Sequence, residues 1–188
     1  MAKIIAINGS PKPEGNTSLM LKKVLEVCKS TGHEVELFQA GGRTVRGCTA
    51  CGGCKAGACV IGDWINELHE KMVAADAIIM GSPTYFATLT PELKAVIDRT
   101  GFTSRRNGNQ FSRKIGAAVA AVRRCGSIHV LDSINHFYQI SDMVVPGSSY
   151  WNMSVSAFPG DFEKDDEGNK TMERLGENIN WLLEKLVG

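Results

Sequence analysis

Residues 3–30 read KIIAINGSPKPEGNTSLMLKKVLEVCKS. Lys3 to Ile7 is a short, continuously apolar run, the pattern of a strand covered on both faces. Asn8 to Ser18 then crowds Gly, Ser, Pro, Asn and Thr, the residues that turns require. From Asn16 to Ser30 the period changes. Leu21, Val24, Leu25 and Cys28 fall at i, i+3, i+4 and i+7, which predicts a helix. Gly32 sits where helices commonly stop. A buried strand, a polar turn and an amphipathic helix form the first half of a βαβ unit.

The same alternation repeats along the chain. Strands are predicted at His33–Phe38, Ala77–Met80, Ile115–Val122 and Met143–Val145. Helices are predicted at Asp63–Ala74, Glu92–Arg99 with Pro91 at its start, Ile128–Tyr138 and Met172–Val187. The last carries Leu175, Ile179, Leu182, Leu183 and Leu186 on one face. Alternating strands and helices imply an α/β fold of three layers, with helices on both faces of a parallel sheet. Five strands favour the flavodoxin-like, doubly wound order 2-1-3-4-5. A chain of 188 residues fits one domain, residues 1–188. A Gly- and Cys-rich loop insert interrupts it at 41–62. Residues 147–170 lack a period and read as a solvated acidic loop around Asp161, Glu163, Asp165, Asp166 and Glu167.

Composition narrows the class. Apolar residues make up 43% and charged residues 22%, ordinary globular usage. Lys and Arg total 21 against 20 Asp and Glu, a net charge of +1. The basic surplus of nucleic-acid binders is missing, so no nucleic-acid partner is expected. No apolar run approaches the roughly 18 residues of a membrane span, and no secretory leader is evident. The expectation is a cytoplasmic protein without a membrane partner. Six cysteines in that setting point to metal, redox chemistry or buried thiols rather than a disulfide framework.

Two loops end central strands, where doubly wound sheets bind ligands. The first runs from Asn8 to Ser18. A helix N-terminus there offers free N–H groups and positive dipole, and Ser10, Asn16, Thr17 and Ser18 add polar groups. A phosphate fits such a loop; so does an ordinary capped helix start. The loop lacks both the G-x-G-x-x-G of dinucleotide folds and the G-K-[ST] of a P-loop. The second loop is Gly81-Ser82-Pro83-Thr84-Tyr85-Phe86. Small polar groups beside two aromatics suit a planar heteroaromatic ring, or a plain turn with two core aromatics. Strand order 2-1-3-4-5 places the two loops side by side.

Residues 47–59 hold Cys48, Cys51, Cys54 and Cys59, spaced C-x2-C-x2-C-x4-C. Two intervening residues let a chain curl and present successive sulfurs to one small cubane cluster. Gly47, Gly52, Gly53 and Gly57 permit the tight backbone. Arg43, Arg46 and Lys55 lie nearby to offset negative charge. Zinc remains open, although structural zinc usually takes two separated C-x2-C pairs. A dithiol pair without metal also remains open. Cys28 lies on an apolar helix face and reads as core. Cys125 receives no role. His129 and His136 read as packing or surface residues.

The loops GSPKPEGNTS and GSPTYF and the helix LKAVIDRTG resemble the NADPH-dependent FMN reductase family of flavodoxin-like proteins. The resemblance covers nearly the whole chain. It implies non-covalent FMN, its phosphate at Ser10, Lys12, Asn16, Thr17 and Ser18. The ring would rest on Ser82, Pro83, Thr84, Tyr85 and Phe86. A third loop in that family follows the fourth strand, here Arg123-Arg124-Cys125-Gly126-Ser127. Arg123 and Arg124 would supply positive charge near reduced flavin, or simply face solvent. The cysteine motif is similar to that of the iron-sulfur flavoproteins, a branch of the same reductases carrying one [4Fe-4S] cluster. Cys48, Cys51, Cys54 and Cys59 would be its ligands. Val60 after the last cysteine, where ferredoxins have proline, argues against a ferredoxin insert.

The expected function is an FMN-dependent oxidoreductase that exchanges electrons between flavin and cluster. The alternative is an NAD(P)H-dependent FMN or quinone-type oxidoreductase without a working cluster. NAD(P)H is the candidate donor, although nothing in the chain marks an independent nicotinamide site. No acid–base residue is required for electron transfer to flavin, so no catalytic residue is assigned. A small-molecule or protein redox partner follows from the chemistry. The resemblance further implies a homodimer or homotetramer, with Leu93–Gly101 at subunit contacts. The basic stretch Phe102–Lys114 reads as a docking loop for an anionic partner or a solvated connector.

Overall fold

Period-two placement along the first strand decides the layers. In the computed structural model, which describes residues 1–186, β1 (Lys3–Asn8) is buried on both faces. Ile4 and Ala6 enter one apolar cluster, and Ile5 and Ile7 the other. The first cluster lies under α1 (Asn16–Ser30) and α5 (Asp166–Leu186), through Met20, Leu21, Val24, Leu175, Ile179 and Leu183. The second lies under α2 (Trp64–Ala74), α3 (Pro91–Arg106) and α4 (Ser127–Ile140), through Leu68, Met72, Leu93, Val96, Ile134 and Phe137.

The sheet orders β2-β1-β3-β4-β5. Its other strands are β2 (Glu34–Gln39), β3 (Ala77–Pro83), β4 (Ile115–Val122) and β5 (Met153–Val155). All named pairings are parallel. The three-layer, flavodoxin-like topology expected from the sequence is therefore present. The small residues of β4 have a packing cause. A Cβ on Gly116 would lie 2.5 Å from Cγ of Tyr138, whose buried hydroxyl donates to the Ala117 carbonyl at 3.0 Å.

The fifth strand departs from expectation. Met143–Val145 does not form it. Val144 makes only an isolated bridge to Ile115, donating to the Lys114 carbonyl and accepting from the Gly116 amide. Pro146 follows, without an N–H to extend the ladder. The chain leaves and re-enters the same edge at Met153–Val155, opposite Ala120–Val122. Tertiary pairing, rather than β-propensity, places the strand.

Other boundaries move as well. α3 continues to Arg106, so the first five residues of the basic stretch Phe102–Lys114 are helix, and Arg105 donates to the Ile140 carbonyl at 2.7 Å. Lys114 is tied to the carbonyls of Val73 and Ala75. The acidic stretch contains β5, a short 3-10 turn at Asp161–Lys164 and the start of α5. Asp165 accepts from the Gly168 amide at 2.9 Å, capping that helix. Val187, expected at the end of the terminal helix, lies outside the described residues. Among the described residues no helix is long and apolar enough to cross a membrane.

Candidate functional site

The carboxyl ends of β1, β3 and β4 form one edge, and backbone contacts stitch their loops together. The Gly9 amide donates to the Gly81 carbonyl at 2.8 Å. Thr90 Oγ1 donates to the Gly9 carbonyl at 2.8 Å. Gly41, just beyond β2, packs so tightly on the first loop that a Cβ there would fall 2.3 Å from the Ser10 carbonyl oxygen. Within the loop, Asn8 Oδ1 accepts from the Ser10 amide, and Ser10 Oγ accepts from the Lys12 amide. Gln39 Nε2 donates to the carbonyls of Ser10 and Gly41. Contacts within the protein thus hold the turn.

What this turn presents is an open helix end. Gly15 precedes α1 and offers no side-chain cap, and the first turn carries no acidic residue. First-turn N–H groups and the positive dipole end are left for an outside anion. Ser18 is fully buried, and its Oγ has no hydrogen-bond partner. A buried hydroxyl without a partner costs about 1–3 kcal/mol, which an acceptor reaching this helix end would offset. Thr17 is buried beside it and Lys12 is exposed. Asn16 differs from expectation. Its Nδ2 donates to the Phe158 carbonyl at 2.8 Å, and its Oδ1 accepts from the amides of Gly160 and Phe162. That side chain clasps the segment before α5.

The second loop begins later than expected, because Ser82 and Pro83 complete β3. Ser82 is fully buried; its hydroxyl donates to the Pro83 carbonyl and accepts from the Thr90 amide. Thr84 donates from both backbone and hydroxyl to the Ala121 carbonyl. These hydroxyls shape the loop from within. Tyr85 and Thr88 close a turn on each other, and Phe86 and Ala87 at its tip take φ of 47° and 59°. Consecutive left-handed residues of this kind are strained, and such strain gathers at functional sites. Tyr85 and Phe86 are both exposed. Gly126 of the third loop abuts Thr84 and Ala87, so loops two and three touch. Arg123 and Arg124 face solvent.

The cysteine loop leaves the same edge after Gly41. Cys48, Cys51, Cys54 and Cys59 line one concavity, walled by Arg99, Phe102, Thr103 and Arg106 of α3. Ala50, Gly52 and Gly57 take positive φ, which curls the chain. Anchors come from both flanking helices. Asn66 bonds the amide and carbonyl of Cys59, and Asn107 bonds the Gly57 amide and the Cys54 carbonyl. The Gly53 backbone, and then Thr49, hold the Cys51 thiol below its ordinary pKa, aided by Arg106. A lowered thiol pKa favours the thiolate that metals require. The donor set suits a four-thiolate group. Among the described residues, however, no three His, Cys, Asp or Glu side chains already converge as a metal site.

Charge at this pocket is supplied by residues that sequence reasoning missed. Arg43 stacks on Phe38 and Trp64, its Cζ 4.7 and 5.3 Å from the ring centres. Arg46 contributes its carbonyl, which accepts from Arg99. The guanidinium groups at the thiols belong instead to Arg99 and Arg106. They lie forty residues or more along the chain from the motif, with no local signal beyond helical spacing. Cys28 is buried as expected, its thiol pushed up to about 12 by burial. His129 and His136 are exposed.

The chain is similar to known proteins over nearly its whole length. The family model described as NADPH-dependent FMN reductase matches residues 2–157. An iron-sulfur flavoprotein of Methanocaldococcus jannaschii is 37% identical over 185 residues, covering 94% of this chain and 95% of that protein. One from Methanosarcina thermophila is 33% identical over 185 residues, covering 97% and 95%. A solved flavodoxin from the domain Archaea superposes with a TM-score of 0.66 at 18% identity, covering 97% of this chain and 99% of that one.

Proposed function

Because the chain belongs to the NADPH-dependent FMN reductase family, we propose that this FMN-dependent oxidoreductase is an iron-sulfur flavoprotein, passing electrons between FMN and a [4Fe-4S] cluster. One observation carries the finer reading: four thiols line a single concavity beside α3, on the loop that leaves the sheet edge bearing the open end of α1. When bound, the flavin exchanges electrons in pairs or singly and the cluster exchanges them singly.

The chain's own residues supply positioning and electrostatics. The first-turn amides of α1, with Ser10, Lys12, Thr17 and the partnerless Ser18 hydroxyl, would hold the FMN phosphate. Asn16 would support that loop through Phe158, Gly160 and Phe162. Pro83, Thr84, Tyr85 and Phe86 would bound the ring, with Ser82 shaping the turn beneath. Gly126 props this loop, and Arg123 and Arg124 add positive charge at its rim. Cys48, Cys51, Cys54 and Cys59 would hold the cluster, with Arg99 and Arg106 beside them. No residue is asked to move a proton. A reduced nicotinamide would serve as donor and a small molecule or protein as acceptor. Self-association through α3 would form a homodimer or homotetramer, and the setting is cytoplasmic.

Purification without oxygen tests this reading. FMN, iron, sulfide and zinc are measured per chain beside the visible spectrum. About one FMN with four iron and four sulfide per chain is the expected result. FMN without iron would assign the cluster-free reductase. Zinc without FMN would overturn the reading altogether.

A further inference from the structure

Arg99 is among the largest fully buried side chains, 1% exposed. Its Nη1 and Nη2 each donate to Asp63 at 2.7 Å, and Nη1 also reaches the Arg46 carbonyl at 3.3 Å. Nε is buried with no hydrogen-bond partner, and the residue lines the concavity holding the four thiols. Stability alone accounts poorly for such a group. A buried ion pair is often no better than apolar packing, and an N–H donor without an acceptor is costly.

We propose that Arg99 is a positioning residue of the four-cysteine site, its Nε–H serving as the buried hydrogen-bond donor to thiolate sulfur when those cysteines are loaded. The inference rests on the reading of that pocket as a [4Fe-4S] site. Asp63 balances the guanidinium charge, so what reaches the thiols is chiefly a directional N–H rather than net charge. Cys59 lines the same concavity as this guanidinium. The bidentate pairing locks the guanidinium plane, and Asp63 is itself fixed as the cap of α2, accepting from the Ile65 amide at 3.1 Å. A donor held this rigidly loses little entropy on bonding sulfur. It favours the more negative, reduced state of the cluster, and so raises its potential.

The test compares wild type, Arg99→Lys and the double variant Arg99→Gln with Asp63→Asn, each loaded with iron and sulfide without oxygen. Lysine keeps a charge for Asp63 but lacks the planar Nε–H; the double variant removes both charges together. FMN and iron per chain are measured, and the reduced fraction is read while dithionite poises the solution at the wild-type midpoint. Expected is unchanged FMN and iron content, with the reduced-to-oxidised ratio falling about tenfold, the size of one charge-assisted hydrogen bond. An unchanged ratio overturns the inference. So does loss of iron from both variants with FMN retained, which assigns Arg99 to bracing the loop. Should the double variant lose FMN, Arg99→Lys alone decides. If wild type takes up no iron, the cluster reading itself fails, whatever the variants do.

Discussion

Thr90 Oγ1 donates to the Gly9 carbonyl at 2.8 Å and also accepts from the Leu93 amide as the cap of α3. One buried hydroxyl therefore ties the first loop to the second and starts a helix. Thr90→Val keeps the shape and removes both bonds. Loss of a cap and a buried carbonyl left unpaired give an expected cost of about 2–3 kcal/mol, read from urea unfolding. FMN affinity, followed by quenching of flavin fluorescence, falls with it. Unchanged affinity would show that the two loops do not depend on each other.

Gly41→Ala introduces a methyl 2.3 Å from Ser10 backbone atoms and 2.4 Å from the Gly9 carbonyl oxygen. Backbone cannot yield as a flexible side chain can. Overpacking of this kind costs about 1–3 kcal/mol, and here the displaced element is the phosphate turn. The expected variant keeps its helical circular dichroism and loses most of its FMN. A variant that binds FMN like wild type would place the phosphate elsewhere.

Asn16→Ala separates two roles. If Asn16 only clasps residues 158–162, the variant loses roughly 1–3 kcal/mol of stability. Proteolysis within 157–162 then becomes faster. FMN affinity falls less than in Ser18→Ala, whose hydroxyl has no partner within the protein. The reverse ranking would return Asn16 to the phosphate.

Stability should fall on mild acidification. Burial lowers the pKa of His69, opposed by Gln110, which its Nε2 meets at 3.0 Å, and by Glu70. A base with a depressed folded pKa leaves the unfolded state binding the extra proton. Its full stability is present above the unfolded value near 6.5 and is lost as pH falls toward the folded value, by up to about 1.4 kcal/mol per pH unit. Asp63 adds a second decline at lower pH. Its hydrogen bonds from Arg99 hold its pKa down against burial. That contribution is present above the unfolded value near 3.9 and is lost as pH falls through the folded one. Urea midpoints from pH 8 to 5 should drop for wild type and flatten in His69→Gln. An equal slope in both would remove His69 from the account.

Residues 3–30 and the repeats of their pattern were enough for a parallel, doubly wound sheet, because burial on both strand faces and helical period are local properties. The cysteine spacing, the polar turn after β1 and the core position of Cys28 were legible for the same reason. The site's electrostatics were not. Arg99 and Arg106 line the thiol pocket, Asp63 pairs with Arg99, and Asn66 and Asn107 hold the loop backbone only because α2 and α3 flank the inserted loop. Asn16 and Ser82 looked like ligand groups, since sequence shows a side chain's capacity to bond but not whether a neighbour has taken it. The fifth strand moved ten residues for a related reason. Which segment completes a sheet edge depends on the pairing that the finished sheet offers, and only the folded chain supplies that edge.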